Sequence, residues 1–271
     1  MSESTGFEEF VAAVRGPVGE ATLVVTGAGV SLASGLPTFR GTDPGAVWAN
    51  DVVEKGTRAF FQREPHESWL WYLKRFELAH DARPNEAHLA LADWERWQER
   101  QGRGFLLVTQ NVDTLHEQAG SRALVKVHGS LDRARCTRRG CANGPPRGTL
   151  PMAEVDFGPL HADPSPETVP RCPLCRSKLR PHVLWFDEYY SEHEGYQIER
   201  VLEGARRSSL VVFIGTSFSV GVTERVTALA LKRGAKVFSI DPAGTRPAPR
   251  IDVVAERAEV LLPRVVGSLQ T

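Results

Sequence analysis

No run of apolar residues in the 271-residue chain approaches the ~20 that a membrane-spanning helix needs, so no membrane partner is expected. The start, MSESTGFEEF, is acidic where a secretory leader would be cationic and then apolar, and a soluble cytoplasmic protein is expected. Neither sign of charge is in surplus. With 33 Lys+Arg against 33 Asp+Glu, there is no electrostatic reason to propose a nucleic-acid partner. Four cysteines in a chain of this length do not make a disulfide scaffold, and their grouping suggests a metal. Repeats at solenoid spacing are missing as well. What is present is ordinary globular material, 41% hydrophobic and 24% charged. The length exceeds one domain of roughly 100–200 residues without filling two, so one large core with insertions is expected.

Six short apolar runs read as strands: Ala21–Thr26, Phe105–Thr109, Ala123–Val127, His182–Phe186, Leu210–Ile214 and Lys236–Ile240. Most are apolar at both parities, the pattern of strands covered on both faces. Helical patterns alternate with them at Thr5–Arg15, Asn85–Arg100, Glu192–Arg207 and Val222–Arg233. This alternation predicts an α/β fold, a parallel sheet with helices on both faces. Ligands in such sheets lie beyond the carboxyl ends of the strands. Two segments interrupt the pattern. Residues 42–80 hold a loop and the helical stretch His66–His80, and 131–180 are rich in Pro, Gly and Arg and carry every cysteine. Both read as insertions forming a smaller lobe, giving a large domain of 1–41, 81–130 and 181–271 and a small one of 42–80 and 131–180.

The strand ends carry the chemistry. Ala21–Thr26 runs into Gly27-Ala28-Gly29-Val30-Ser31, where glycines let backbone N–H groups approach a pyrophosphate. The G-x-G-x-x-G fingerprint nevertheless fails, because its sixth position is Leu32. A tight turn without a ligand fits the same residues, and any dinucleotide would sit in a non-standard pose. Gly35–Gly41 (GLPTFRG) reads as a loop offering an aromatic ring and a cation. Gln110-Asn111-Val112-Asp113 ends another strand. Asp113 suits a helix N-cap, but buried amides at 110 and 111 need several partners to offset desolvation. His128 ends a third strand, and a neutral imidazole there suits either a structural role or general-base work. Cys136-x4-Cys141 and Cys172-x2-Cys175 read as a closed four-thiolate zinc site that would fold the insertion, with free or redox thiols as the alternative.

Together, GAGVS at 27–31, GLPTFRG at 35–41, TQNVDTLH at 109–116, HG at 128–129, the paired cysteines, LRPHVLWF at 179–186 and GTS at 215–217 resemble the sirtuins, in that family's order. The resemblance spans residues ~20–265 of this sequence. It implies a Rossmann-like large domain with NAD inverted, one structural zinc per chain in the small lobe, and an acyl-lysine protein or peptide in the cleft between them. His128 is then the general base, and Asn111 and Asp113 hold the nicotinamide ribose and carboxamide, with Gln110 on the ribose. Gly27, Ala28, Gly29, Ser31, Phe39 and Arg40 surround the diphosphate and nicotinamide. Gly215, Thr216 and Ser217 meet the adenosine half, with Ser239, Asp241 and Ala258 nearby. Val183, Trp185 and Phe186 form the edge that pairs with the substrate backbone. The implied products are nicotinamide and an O-acyl-ADP-ribose, and the implied oligomeric state is a monomer.

Tyr72 and Arg75 stand at i and i+3 of a helix, hence on one face. Tyr-x-x-Arg there resembles the sirtuin class that removes succinyl and malonyl groups, with Gly56 at a position where that class widens the pocket. A surface arginine is the plain alternative. Three positions depart from the family pattern: Asp187 where a glycine is usual, Ser239 for a frequent asparagine, and Val222 where a proline often follows GTS. Asp187 is expected to put a charge beside the peptide cleft. The competing functions are an NAD glycohydrolase or ADP-ribosyltransferase, a deacetylase indifferent to acidic acyl groups, and a non-catalytic binding module.

Overall fold

The computed structural model describes residues 3–38, 53–218 and 221–270. In chain order it runs α1 (Glu3–Arg15), β1 (Ala21–Thr26), α2 (Arg58–Arg63), α3 (Pro65–Asp81), α4 (Glu86–Arg100) and β2 (Gly104–Thr109). It continues through α5 (Leu115–Gln118), β3 (Leu124–Lys126), β4 (Gly129–Cys136), β5 (Leu150–Pro151), α6 (Gly158–Ala162) and β6 (Leu179–Val183). It ends with α7 (Ile198–Arg207), β7 (Leu210–Ile214), α8 (Gly221–Arg233), β8 (Lys236–Ile240), β9 (Asp252–Val254) and α9 (Ala258–Leu269).

Six strands form one sheet in the order β3-β2-β1-β7-β8-β9, every pairing parallel. The two-sided apolar pattern of β1 has a direct cause. Val24 packs with Phe10 of α1, Trp94 of α4 and Leu261 of α9, while Leu23 and Val25 pack with Val201 of α7 and Val226 of α8 on the other face. Burying such a strand from both sides at roughly 25 cal/mol per Å² of apolar surface is what the continuous Leu/Val run achieves.

A second sheet, β5-β4-β6, is antiparallel. It shares a separate core with α2 and α3, including Phe61, Trp69, Leu73, Leu131, Leu179 and the two buried cysteines Cys136 and Cys172. The Trp69 indole N–H donates to the Leu179 carbonyl at 2.8 Å, pinning α3 to β6.

Three expectations need correcting. His182–Phe186 is not a strand of the parallel sheet: β6 ends at Val183 and pairs antiparallel with β4. Only His182 and Val183 of the run belong to β6; beyond it Trp185 is buried in the second core and Phe186 is exposed. The sixth parallel strand is the three-residue edge β9, too short to read as a run. The helix expected over Glu192–Arg207 begins only at Ile198, because Gln197 adopts a left-handed conformation (φ 47°) that breaks the helical path before it.

Candidate functional site

The ends of the central strands lie in one row. Thr26 is in register with Thr109 and with Ile214, which in turn faces Ile240. The turns at Gly27, Gln110, Gly215 and Asp241 therefore emerge side by side. The sheet order reverses between β1 and β7, the switch point where ligands settle in doubly wound folds. There the two glycine turns lie on each other: Gly27 N–H donates to Ile214 O at 3.0 Å and Gly29 N–H to Gly215 O at 2.9 Å. A Cβ on Gly29 would fall 2.8 Å from the Gly215 Cα, so backbone-on-backbone packing by itself requires the glycine. The chain then enters a 3-10 helix, Ala28–Ser34, whose Val30 carbonyl accepts from the Asn85 side-chain amide at 2.9 Å. Asn85 also caps α4 through Ala87 N–H.

Behind this turn, Ser31 donates its hydroxyl to Asp113 Oδ2 and accepts from Asn111 Nδ2, each at 3.0 Å. The other Asp113 oxygen accepts from Leu115 N–H at 3.1 Å, so the carboxylate starts α5 and also joins the polar cluster. Gln110 donates to Thr26 O at 3.2 Å and to Thr216 Oγ1 at 3.1 Å, tying the ends of β1, β2 and β7 together. The desolvation of these amides is thus offset by named partners.

His128 stands directly behind Gln110, with Nδ1 3.0 Å from the Gln110 carbonyl. A carbonyl only accepts, so Nδ1 carries the proton and Nε2 keeps its lone pair. Nε2 lies 3.1 Å from the Tyr190 hydroxyl, and the two rings stack at 5.9 Å. Burial pushes the His128 pKa down to about 4, the Gln110 carbonyl opposing the shift. The imidazole is therefore neutral across the physiological range.

Arg75 shares a solvent-open cleft of about 650 Å³ with Ala28, Ser31, Asn111, Asp113 and Leu131. Its guanidinium lies 3.1 Å above the Trp71 ring and donates to the Trp71 carbonyl at 3.0 Å. Tyr72 is buried, and its hydroxyl accepts from the Trp185 indole at 2.9 Å. Burial raises the Tyr72 pKa, so the phenol stays protonated.

Val183 is the last residue of β6, and Trp185 and Phe186 lie beyond it. The backbone N–H groups there already donate: Leu184 to His128 O at 2.9 Å, Trp185 to Glu188 Oε2 at 3.1 Å, and Phe186 to Gly56 O at 3.0 Å. The Phe186 side chain is 53% exposed. Asp187 has a structural task, since its carboxylate accepts from Arg58 N–H at 2.7 Å and Ala59 N–H at 3.1 Å and caps α2.

Some expected residues stand apart from this cluster. Ser239 is buried inside β8 between Phe213 and Val253. Asp241, just past that strand, accepts from Ala243 N–H at 2.9 Å, and Ala258 opens α9 as a buried residue. Ser217 is exposed beside Thr216. Phe39 and Arg40 lie outside the described residues.

The four cysteine sulfurs converge, all within 4.8 Å of one another. Cys136 and Cys175 Sγ are 3.4 Å apart and Cys141 and Cys172 Sγ 3.7 Å, with no disulfide among them. A tetrahedron of Zn–S bonds of about 2.3 Å has edges of about 3.8 Å, so the four residues are placed to bind a zinc ion. Arg138 N–H points at Cys136 Sγ from 3.3 Å, as outer-layer donors to thiolates do.

With this geometry in view, comparison with known proteins is decisive. The sequence profile of the Sir2 family matches residues 27–222. The chain belongs to the Sir2 family. A Thermus thermophilus protein named NAD-dependent protein deacylase is 38% identical over 227 residues, 83% of this chain and 81% of the relative. The solved structure of a Sir2 homolog–NAD complex superposes with a TM-score of 0.78 at 30% identity, covering 97% of this chain and 93% of that one. A Sir2 complex with a p53 peptide and NAD+ gives a TM-score of 0.75 at 25% identity, with 97% and 98% covered.

This Sir2-family site holds two residues that the sequence did not single out. One is Tyr190 on His128. The other is Glu188, whose fully buried carboxylate accepts from Arg58, Arg135 and Arg180. Burial would raise the Glu188 pKa, but Arg180 foremost and then Arg135 hold it down to about 2. The acidic pair Asp187-Glu188 after Trp185-Phe186 gives no hint that Arg58 and Arg135 arrive from distant segments to join Arg180 on one carboxylate. Among the described residues no helix is long and apolar enough to cross a membrane.

Proposed function

We propose that this protein removes acyl groups from protein lysines in an NAD-dependent reaction that yields nicotinamide and an O-acyl-ADP-ribose. One observation carries the proposal: the His128 imidazole is held through Nδ1 on the carbonyl of Gln110, the residue that immediately precedes Asn111 of the Asn111–Ser31–Asp113 cluster at the sheet's switch point. The relatives' names and the NAD-bound homolog support the same reading.

NAD, when bound, supplies a ribose carbon from which nicotinamide departs. Asn111 and Asp113 would hold the nicotinamide ribose and carboxamide, and Gln110 the ribose. Gly27, Ala28, Gly29, Ser31, Phe39 and Arg40 would surround the diphosphate and nicotinamide. Gly215, Thr216, Ser217, Ser239, Asp241 and Ala258 would serve the adenosine half. His128 would take a ribose hydroxyl proton at Nε2, and Leu36 and Pro37, which also line the cleft, would help keep water out. Val183, Trp185 and Phe186 would meet the substrate peptide. Because the N–H groups of residues 184–186 already donate, pairing there would fall to carbonyl oxygens and to the exposed Phe186 ring. The zinc site would fold the lobe of 42–80 and 131–180 against the domain of 1–41, 81–130 and 181–271. We further propose that the protein works as a cytoplasmic monomer.

The preferred acyl group is acidic, succinyl or malonyl. Arg75 in the cleft supports this, whereas Tyr72, whose buried hydroxyl accepts from Trp185, is not among the residues that line the cleft and would have to reach the acyl group with the proton it keeps. A charge-assisted hydrogen bond contributes about 1.5–3 kcal/mol, roughly 10- to 150-fold in preference. Mass spectrometry of acetyl-, malonyl- and succinyl-lysine peptides incubated with NAD tests the reading. Succinyl and malonyl groups should leave faster than acetyl, and Arg75→Met should cut the succinyl/acetyl ratio by that factor. An unchanged ratio in Arg75→Met refutes the assignment of the acyl pocket.

A further inference from the structure

The base is already engaged in the free protein. With Nδ1 protonated toward Gln110 O, the imidazole has one lone pair left, and the Tyr190 hydroxyl at 3.1 Å donates into it. The contact is held from several sides. The Tyr190 ring stacks on the imidazole with an interplanar angle of 23°. The main chain on either side of Tyr190 is fastened by Asp187 on the α2 amides, by Glu188 on Arg58, Arg135 and Arg180, and by Glu192 on Arg58. Burial raises the Tyr190 pKa to about 12, so the hydroxyl remains a donor.

We infer that Tyr190 is a place-holder whose hydroxyl occupies the only lone pair of His128 until a ribose hydroxyl displaces it. This rests on the function proposed above, in which His128 Nε2 meets the ribose of NAD. One acceptor site cannot serve two hydroxyls. The backbone around Tyr190 is tethered, so release falls to rotation of the side chain. Every NAD molecule that binds must therefore break the Tyr190–His128 hydrogen bond, and Tyr190 sets affinity for the dinucleotide through His128, as a positioning residue.

Calorimetric titration of NAD into the wild type, Tyr190→Phe and Tyr190→Leu tests this without relying on turnover. Tyr190→Phe keeps the ring stack and removes only the competing donor. It should tighten NAD binding by about 2- to 10-fold, the value of one net hydrogen bond. Tyr190→Leu, without ring or hydroxyl, should tighten it at least as much. A long-range 1H–15N spectrum of the ligand-free protein gives the second readout: His128 Nε2 should shift downfield in Tyr190→Phe as its hydrogen bond is lost. Equal or weaker NAD binding by Tyr190→Phe overturns the place-holder, as does tightening confined to the leucine variant or an unmoved Nε2 signal. Failure of the wild type itself to bind NAD overturns the proposed function and this inference with it.

Discussion

Replacing His128 with alanine should lower kcat/KM for NAD-dependent deacylation by roughly 10²- to 10⁴-fold, the range associated with a positioned general base. The loss should fall on the chemical step. The Asn111–Ser31–Asp113 cluster does not depend on the imidazole, so NAD binding should survive. Steady-state kinetics with a direct NAD-binding measurement on the same variant check both halves. The pH profile adds an independent sign. A base held near pKa 4 by burial keeps its lone pair as the medium is acidified from pH 8 to 6. The kcat/KM for NAD should therefore show no acid limb with an apparent pKa near 6.5, the ordinary histidine value. A limb at 6.5 would mean that His128 is solvated and not held as described. Full activity in His128→Ala would remove it from the mechanism.

Loss of the zinc site should be the largest effect on stability. Structural four-cysteine sites contribute about 10–16 kcal/mol of apparent binding energy at neutral pH, more than most domains have in total. Here the ligands are also core residues, since Cys136 and Cys172 are buried with Trp69, Leu131 and Leu179. Cys172→Ser should bring zinc below one ion per chain by elemental analysis. Limited proteolysis should then cut within 137–178 while the six-stranded sheet persists. The consequences should reach the active site, because β4 starts at Gly129, next to His128, and ends at Cys136. Retention of the intact protease-resistant core and full activity without metal would contradict a folding role for the four thiolates.

The parts of the fold legible in the sequence were those with a two-sided physical cause. β1, β2, β7 and β8 are continuous apolar runs because helices cover both faces, and their ends carry the polar residues that form the cluster. β9 and α9 were not anticipated. β9 is a three-residue edge, and α9 carries Pro263 in its interior, which interrupts a helical pattern as a break would. The run His182–Phe186 misled because it joins the end of a strand in a second, antiparallel sheet (His182, Val183) to residues beyond it, of which Trp185 is buried in the second core and Phe186 is exposed. In the site, Gln110, Asn111, Asp113 and His128 were legible because they are polar groups at buried strand ends. Asp187 also accepts from the first amides of α2, a task that was illegible because nothing in the sequence brings residues 58 and 187 together. Tyr190 was illegible for the same reason: its meaning depends on a contact across 62 positions. Gly27, Gly29 and Gly215 show a further limit. Their presence follows from two turns packed on each other, so glycine there is necessary for the fold before any phosphate is considered.

The central claim is that His128, Asn111 and Asp113 serve a reaction in which NAD loses nicotinamide and its ADP-ribose takes the acyl group from an acylated lysine. Nicotinamide release measured with NAD alone and with NAD plus a succinyl-lysine peptide tests it most directly. The account predicts release that depends on the peptide, matches deacylated peptide one for one, and is accompanied by an O-acyl-ADP-ribose of the corresponding mass. Release at the same rate without peptide, yielding free ADP-ribose, would contradict it and identify an NAD glycohydrolase instead.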